Sequence, residues 1–347
     1  MKRLKSVLVG TGGWAESHVK AYQIAEHVEL VGICGHRDTE RLNTIAEKYS
    51  IPERSINLGK LLERTQPDIL DLACNPHFRL EGVQAAIMPS IKLINLEKPL
   101  ALTPSEAYEI ERLCLENEKL LTVNHQTKFI PSWRKAKEII ESGKIGDISF
   151  IRASCQGNLL EQGTHLVDAT MFFSDYRPVS WVMGQVDELQ GFSKESASAP
   201  DAAIATMCFE NGIRAIFDFG SVGGEIPGQT SKWHNYWVEV YGSLGHIKVT
   251  LNNTMQSAVY GSGTPATEDS SWDKYYIQAQ AEHLDAAARY AQNPRHGHIS
   301  DLPRSLSSFN AIMAIYASAD VGGRIRLPQR FDDSIIARLK SASGDLR

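Results

Sequence analysis

The chain has 347 residues and a formal net charge of −5, long enough for two domains, each with its own core. Its basic residues are dispersed, which points away from a nucleic-acid surface or an anionic-membrane patch, and no apolar run reaches membrane-spanning length. Five cysteines, Cys34, Cys74, Cys114, Cys155 and Cys208, are widely spaced and lack a C-x-x-C pair, as expected of buried fillers in a reducing, cytoplasmic compartment.

The basic start, Met1 to Lys5, leads into an apolar stretch too short for a signal peptide and reads as the approach to a first strand, Leu4 to Val9. That strand runs into Gly10-Thr11-Gly12-Gly13-Trp14-Ala15, a G-x-G-x-x-A turn. Gly10 permits a tight strand-to-helix turn, Gly12 lets backbone approach a pyrophosphate, and Ala15 lets the following helix pack closely. The helix N-terminus would aim N–H groups at phosphates. Further apolar runs at Glu29 to Cys34, Ile69 to Cys74, Ile91 to Leu96 and Leu120 to Asn124, with helical stretches between most of them, predict a doubly wound parallel sheet. Thr103-Pro104-Ser105-Glu106 opens one of those helices, with Ala107, Ile110, Leu113 and Cys114 on its apolar face.

Cofactor choice turns on the end of the second strand, Gly35-His36-Arg37-Asp38. An acid there commonly holds both ribose hydroxyls of NAD, whereas Arg37 suits a 2′-phosphate or stacks on adenine, so the reading leans to NADP over NAD. Asp38 reads as the cap of the next helix. Glu97-Lys98-Pro99 stands at the carboxyl end of a strand, where open α/β sheets bind ligands. A lysine there can hydrogen-bond a substrate hydroxyl, stabilise an alkoxide and relay a proton if burial and charge lower its pKa. A surface ion pair is the alternative.

Beyond Asn124 the periodicity changes, which sets a boundary between domains at 1–124 and 125–347. A helix opens at Pro131 with Trp133, Ala136, Ile139 and Ile140 inward. Strands then dominate, near Ile148 to Ala153, Val179 to Val186, Ala203 to Phe209, Ile213 to Phe219, Trp237 to Tyr241 and His246 to Thr250, predicting an open, largely antiparallel sheet. Helices at Tyr276 to Ala291 and Leu302 to Val321 close an α+β domain. Within it, Glu161-Gln162-Gly163-Thr164-His165-Leu166-Val167-Asp168 puts His165 and Asp168 on one side of a helix starting near Gly163, with Glu161 at its mouth. Histidine suits general-base removal of an alcohol proton near neutral pH, and a carboxylate orients it. His296-Gly297-His298 reads as a polar loop ending at Asp301 as a helix cap rather than a metal site, and no metal is expected. P-loop, H-E-x-x-H and G-x-S-x-G motifs are absent from the sequence.

Taken together, Gly10-Thr11-Gly12-Gly13, Glu97-Lys98-Pro99, Ser142-Gly143-Lys144-Ile145-Gly146, Gly163 to Asp168 and Tyr241-Gly242-Ser243-Leu244-Gly245 resemble the glucose-fructose oxidoreductase/inositol dehydrogenase (Gfo/Idh/MocA) family over nearly the whole length. The resemblance implies an N-terminal Rossmann domain, a C-terminal sheet domain that pairs into a homodimer or homotetramer, and hydride transfer between a nicotinamide cofactor and a secondary hydroxyl of a sugar, sugar derivative or cyclitol. It also implies that Lys98 and His165 are catalytic, with Glu161 standing where the family usually has aspartate. Asp168, Lys128 and Gln126 become substrate-binding candidates. The glycine turn from Gly10 to Ala15, with His36, Arg37, Asn75, Glu97 and Lys98, becomes the cofactor set. In Asn75-Pro76-His77-Phe78-Arg79-Leu80 the family's threonine is Asn75 and its later histidine is Leu80. The loops Gly223 to Trp233 and Thr264 to Trp272 would read the substrate. The same scaffold hosts NAD-dependent glycosidases and non-catalytic dinucleotide-binding regulators, which remain the alternatives.

Overall fold

The computed structural model describes residues 3–37, 39–187, 199–263 and 265–342; Asp38 and Thr264, which the sequence reading invoked, lie outside them. In chain order the elements of the first part are β1 (Leu4–Val9), α1 (Gly13–Tyr22), β2 (Val28–Cys34), α2 (Thr39–Lys48), β3 (Glu53–Ser55), α3 (Leu58–Thr65), β4 (Ile69–Leu72), α4 (Arg79–Ala85), β5 (Leu93–Glu97), α5 (Pro104–Glu116) and β6 (Leu120–Asn124). Among the described residues these strands form a six-stranded sheet, β3-β2-β1-β4-β5-β6, with every pairing parallel. The strand order reverses at β1, so the carboxyl ends of β1 and β4 diverge beneath the glycine turn, the place where such sheets take ligands. The apolar strands are buried on both faces, as a helix-covered parallel sheet requires. The three-residue β3 carries Glu53-Arg54-Ser55 and no apolar run; its pairing to Gly32, Ile33 and Cys34 makes it a strand.

The second part contains α6 (Pro131–Glu141), β7 (Ile148–Cys155), α7 (Gly163–Phe173), β8 (Val179–Asp187), β9 (Ala202–Phe209), β10 (Arg214–Gly220), β11 (Tyr236–Gly242), β12 (Gly245–Thr250), β13 (Asn253–Val259), β14 (Ala266–Ser270), α8 (Trp272–Gln292), α9 (Leu302–Val321), β15 (Ile325–Arg326) and α10 (Ser334–Ala342). Among the described residues nine of these strands form one sheet, β14-β13-β12-β11-β7-β10-β9-β8-β15, in which β7 and β10 run parallel and the other neighbours antiparallel. α6 and α7 pack on it, with Trp133 wholly buried and its ring 5.7 Å from that of Phe173. This is the expected α/β fold class, a doubly wound parallel sheet followed by an open, largely antiparallel one.

The compact units are not contiguous in the chain. One comprises residues up to Ala101 with Glu106–Gln126 and Tyr276–Ser305; the other comprises Leu102–Ser105, Thr127–Tyr275 and the chain from Leu306 on. Beside the expected division at 124/125, residues 276–305 group with the first unit. There Ala281, Leu284, Ala287, Ala288 and Ala291 of α8 pack into a core with Leu4, Leu8, Val19, Val28 and Ile33. Val123 N–H donates to the Ser300 carbonyl at 2.9 Å, which fixes the end of that excursion to β6. Asp301 accepts the Arg304 N–H at 3.1 Å, the capping role expected of it. Among the described residues no helix is long and apolar enough to cross a membrane.

Candidate functional site

In the first unit a cleft of about 570 Å³ opens at the carboxyl ends of β1, β2 and β4, lined among others by Gly10, Thr11, Gly12, His36 and Asn75. Gly10 sits at φ +128°, and a side chain there would place its Cβ 2.3 Å from the Ala73 carbonyl oxygen. Glycine is therefore required by both backbone conformation and space. A Cβ at Gly12 or Gly13 would meet nothing within 4 Å, so the backbone at the start of α1 faces open volume where an anionic group can reach its N–H donors. Ala15 is wholly buried beneath the turn, whereas Trp14 is 49 % exposed. The cleft thus fits an extended dinucleotide: a glycine turn with free approach, a helix N-terminus and a rim with rings. On that rim His36 tilts against Phe78 with ring centroids 5.1 Å apart. Arg37 is exposed at the end of β2, and the Arg41 guanidinium donates to the Thr11 carbonyl within the turn. Asn75 lines the cleft while its Oδ1 accepts the His77 N–H at 3.1 Å, which holds the following turn.

Behind the cleft a polar seam crosses an otherwise apolar core. The parallel register puts Asp71, Asn95 and Thr122 in one row across β4, β5 and β6, and Glu97 opposite Asn124 two positions further along. Asn95 donates to Asp71 at 2.8 Å and accepts from Thr122 at 2.9 Å, and Nε2 of His283 on α8 lies 2.8 Å from Asn95 Oδ1. From α1, Tyr22 donates to Asp71 at 3.0 Å. His18 sets Nδ1 at 2.8 Å from Asp71 and Nε2 at 3.3 Å from Glu97. Burial pushes the His18 imidazole down, but the two carboxylates outweigh it and raise it from 6.5 to about 10. Burial pushes Glu97 up, yet His18, the Lys98 ammonium and Asn124 bring it down from 4.5 to about 2. Lys98 follows directly at the strand end, and wholly buried Arg79 donates to its carbonyl at 3.3 Å. Burial lowers the Arg79 guanidinium below its ordinary range.

In the second unit, Asn158 Oδ1 accepts the N–H groups of Leu160 and Glu161 at 3.0 and 2.8 Å, fixing the approach to α7. Gln162 clamps the same loop, accepting from Gly157 N–H at 3.1 Å and donating to the Trp233 carbonyl at 2.6 Å. Glu161 and His165 are half-buried at this helix start. Asp168 and Lys128 are paired with each other, Nζ to Oδ2 at 2.6 Å, with side-chain exposures of 1 % and 0 %. Tyr176 hydroxyl stands 2.6 Å from Lys128 Nζ and donates to Asp168 Oδ1 at 3.1 Å. Lys128 and Asp168, expected to meet a substrate hydroxyl, are thus buried and paired with each other within the second unit. Gln126 is likewise only 4 % exposed.

Of the predicted cofactor residues, Gly10, Thr11, Gly12, His36 and Asn75 line one cleft, while Glu97 is turned into the polar seam. Sequence reasoning missed His18, Asp71, Arg41, Arg79 and Asn158. The first was detectable as an ionisable residue on the buried α1 stripe of Ala15, Val19 and Tyr22, and the second as a carboxylate inside the apolar run Ile69-Leu70-Asp71-Leu72.

Comparisons with known proteins agree with this architecture. Residues 4–125 match the oxidoreductase family with an NAD-binding Rossmann fold, and residues 133–248 match the GFO/IDH/MocA C-terminal domain. D-apiose dehydrogenase of Paraburkholderia graminis is 23 % identical over 63 % of this chain and 60 % of its own. D-glucoside 3-dehydrogenase of Escherichia coli is 22 % identical over 63 % of this chain and 68 % of its own. The chain thus spans about two thirds or less of those relatives' lengths. A levoglucosan dehydrogenase solved with NADH and levoglucosan superposes with a TM-score of 0.80 at 18 % identity, covering 94 % of this chain and 100 % of that one. With a dinucleotide cleft at the glycine turn, Glu97-Lys98-Pro99 at the end of β5 and both domains matched, this chain belongs to the Gfo/Idh/MocA family of NAD-binding oxidoreductases.

Proposed function

We propose that this protein interconverts a secondary alcohol and a ketone on a sugar, sugar derivative or cyclitol, with Lys98 and His165 as its catalytic residues. The observation that carries the reading is the glycine-turn cleft at the carboxyl ends of β1 and β4, in the same unit as Lys98. The named relatives acting on apiose, glucosides and levoglucosan support the substrate class. A nicotinamide dinucleotide, when bound, supplies the hydride acceptor or donor. His165 takes the hydroxyl proton on its imidazole in the oxidative direction, Glu161 orients that ring, and the Lys98 ammonium hydrogen-bonds the same oxygen and steadies its developing charge. In reduction the same groups return the proton.

A screen of sugars and inositols with NAD and NADP, read at 340 nm, tests the reading. Turnover with one of them is the expected result; release of free sugar without net absorbance change would select the NAD-dependent glycosidase instead. Lys98→Ala and His165→Ala should each lower kcat by about 10²–10⁴ with dinucleotide affinity retained. A His165→Ala enzyme of normal turnover would remove that residue from the chemistry. NADP is favoured over NAD because Arg37 is the exposed cation at the end of β2, and Arg37→Ala should then reduce the NADP-over-NAD preference by about tenfold. The sheet face bearing half-exposed Met183 and Ile204 is the surface proposed to pair with a second copy, and light scattering should return a dimer or tetramer.

A further inference from the structure

The seam ends at Glu97, and its hydrogen-bond pattern determines the charge on His18. Asn124 Nδ2 has two hydrogens, taken by Glu97 Oε2 at 2.6 Å and Gln280 Oε1 at 2.7 Å. It has none left for His18 Nε2, 3.2 Å away, so that separation is between two donors sharing the Glu97 oxygen. Nδ1 faces Asp71 Oδ2, which also accepts the Tyr22 hydroxyl. Each ring nitrogen thus confronts a carboxylate oxygen, and either neutral tautomer would turn a lone pair toward one of them.

We propose that His18 is a positioning residue, an imidazolium held between Asp71 and Glu97 that fixes the Glu97 carboxylate, offsets its charge and thereby sets the proton affinity of Lys98. The upward displacement of His18 to about 10 and the downward displacement of Glu97 to about 2 agree with this geometry. The inference rests on the role proposed above for Lys98. Around the imidazole stand Asp71 from β4, Glu97 from β5, Tyr22 from α1, and the neutral amides of Asn124 and Gln280 from β6 and α8. Charged neighbours of Lys98 include Glu97 and, through the Lys98 carbonyl, Arg79 from α4, which itself feels Glu106 and Cys74. The imidazolium and the ammonium share one carboxylate. With the imidazolium gone, Glu97 attracts the Lys98 proton more strongly; with Glu97 neutral, that attraction disappears.

The test compares full-length wild type, His18→Gln, Glu97→Gln and the double variant by the alkaline limb of kcat/KM. In parallel, lysine Cε is titrated by NMR in 13C-lysine-labelled protein, with Lys98 assigned through Lys98→Arg. His18→Gln should move the Lys98 titration up by about 0.5–1 pH unit, as a unit charge acting through partly hydrated interior does. Glu97→Gln should move it down, and the double variant should return it close to wild type. Absent shifts, or shifts of one sign in both single variants, overturn the proposal. If the lysine titration moves as expected while the kcat/KM limb does not follow, the coupling stands and the catalytic reading of Lys98 falls. Should the His18 variant fail to fold, 15N-histidine NMR on wild type decides: both ring nitrogens protonated from pH 6 to 9 supports the proposal, and a neutral imidazole at pH 8 overturns it.

Discussion

Each unit buries a cation against a carboxylate, but the first flanks one imidazolium with two carboxylates whereas the second closes one ammonium on one carboxylate. The consequence shows in the carboxyls. Glu97 is held down because His18, Lys98 and Asn124 together outweigh its burial. Asp168 is raised because burial outweighs Lys128, Tyr176 and Ser308. A buried carboxylate beside one cation is thus not guaranteed a low pKa: Glu97 faces two cations, His18 and Lys98, whereas Asp168 faces one, Lys128. The first arrangement ends beside Lys98 and suits a group whose charge must be tuned. The second is sealed and suits a brace between α7 and the turn carrying Lys128.

The largest effect should come from breaking the sealed pair. Asp168→Ala leaves the wholly buried Lys128 ammonium with the Tyr176 oxygen but without its counter-charge, and removing one partner of a buried pair costs about 3–5 kcal/mol. Urea unfolding should read that loss directly. A cost below about 1 kcal/mol, in the range of exposed pairs, would show that the cluster relaxes or takes up water, and the contrast between the units would collapse.

His18→Gln should be milder, since the amide keeps an N–H for one carboxylate, and its penalty should depend on pH. A folded-state pKa raised from 6.5 to about 10 means that the His18 contribution is fully present below 6.5 and is lost as pH rises through about 10. The penalty of His18→Gln should therefore shrink as pH rises across that window. Glu97 has the opposite sign: its contribution is present above 4.5 and lost as pH falls through about 2. Asp168, being raised, contributes fully below 3.8 and loses that contribution as pH rises through its folded value. Denaturation of His18→Gln and wild type from pH 6 to 9 checks this, and a penalty independent of pH would mean that His18 is neutral in the fold.

How far these features were legible follows from where their signals lie in the chain. The glycine turn and the apolar strands β1, β2, β4, β5 and β6 are written in consecutive residues, so local pattern suffices. Strands β13 and β14 hold Asn253 to Val259 and Ala266 to Ser270, with few apolar residues, and exist through register, β13 with β12 and β14 with β13. The return of α8 to the first unit depends on an alanine face whose partners lie more than two hundred residues earlier. Among the site residues, Lys128 and Asp168 were found by position relative to motifs, but position does not report burial. Their mutual pairing, 40 residues apart in sequence, arises only when α7 and the turn at Gln126 to Phe129 are packed. The Leu80 departure was visible, whereas burial of the adjacent Arg79 was not.

The smallest effect sets the baseline for both clusters. On α5, Arg112 meets Glu109 at 2.6 Å and also Glu116, one and the same guanidinium serving two carboxylates three and four residues away. In partner count this resembles the His18 arrangement, yet the group stands in water, where the Coulomb gain is screened and the side-chain ordering it requires offsets much of the remainder. Arg112→Ala should leave the urea midpoint within error of wild type at low and at high salt. If it instead destabilised the protein as much as His18→Gln, partner number alone would account for the first cluster, and burial would lose its place in the explanation. An unchanged midpoint, set beside a pH-dependent loss at His18, assigns the difference to the core that excludes water from α1 and β5.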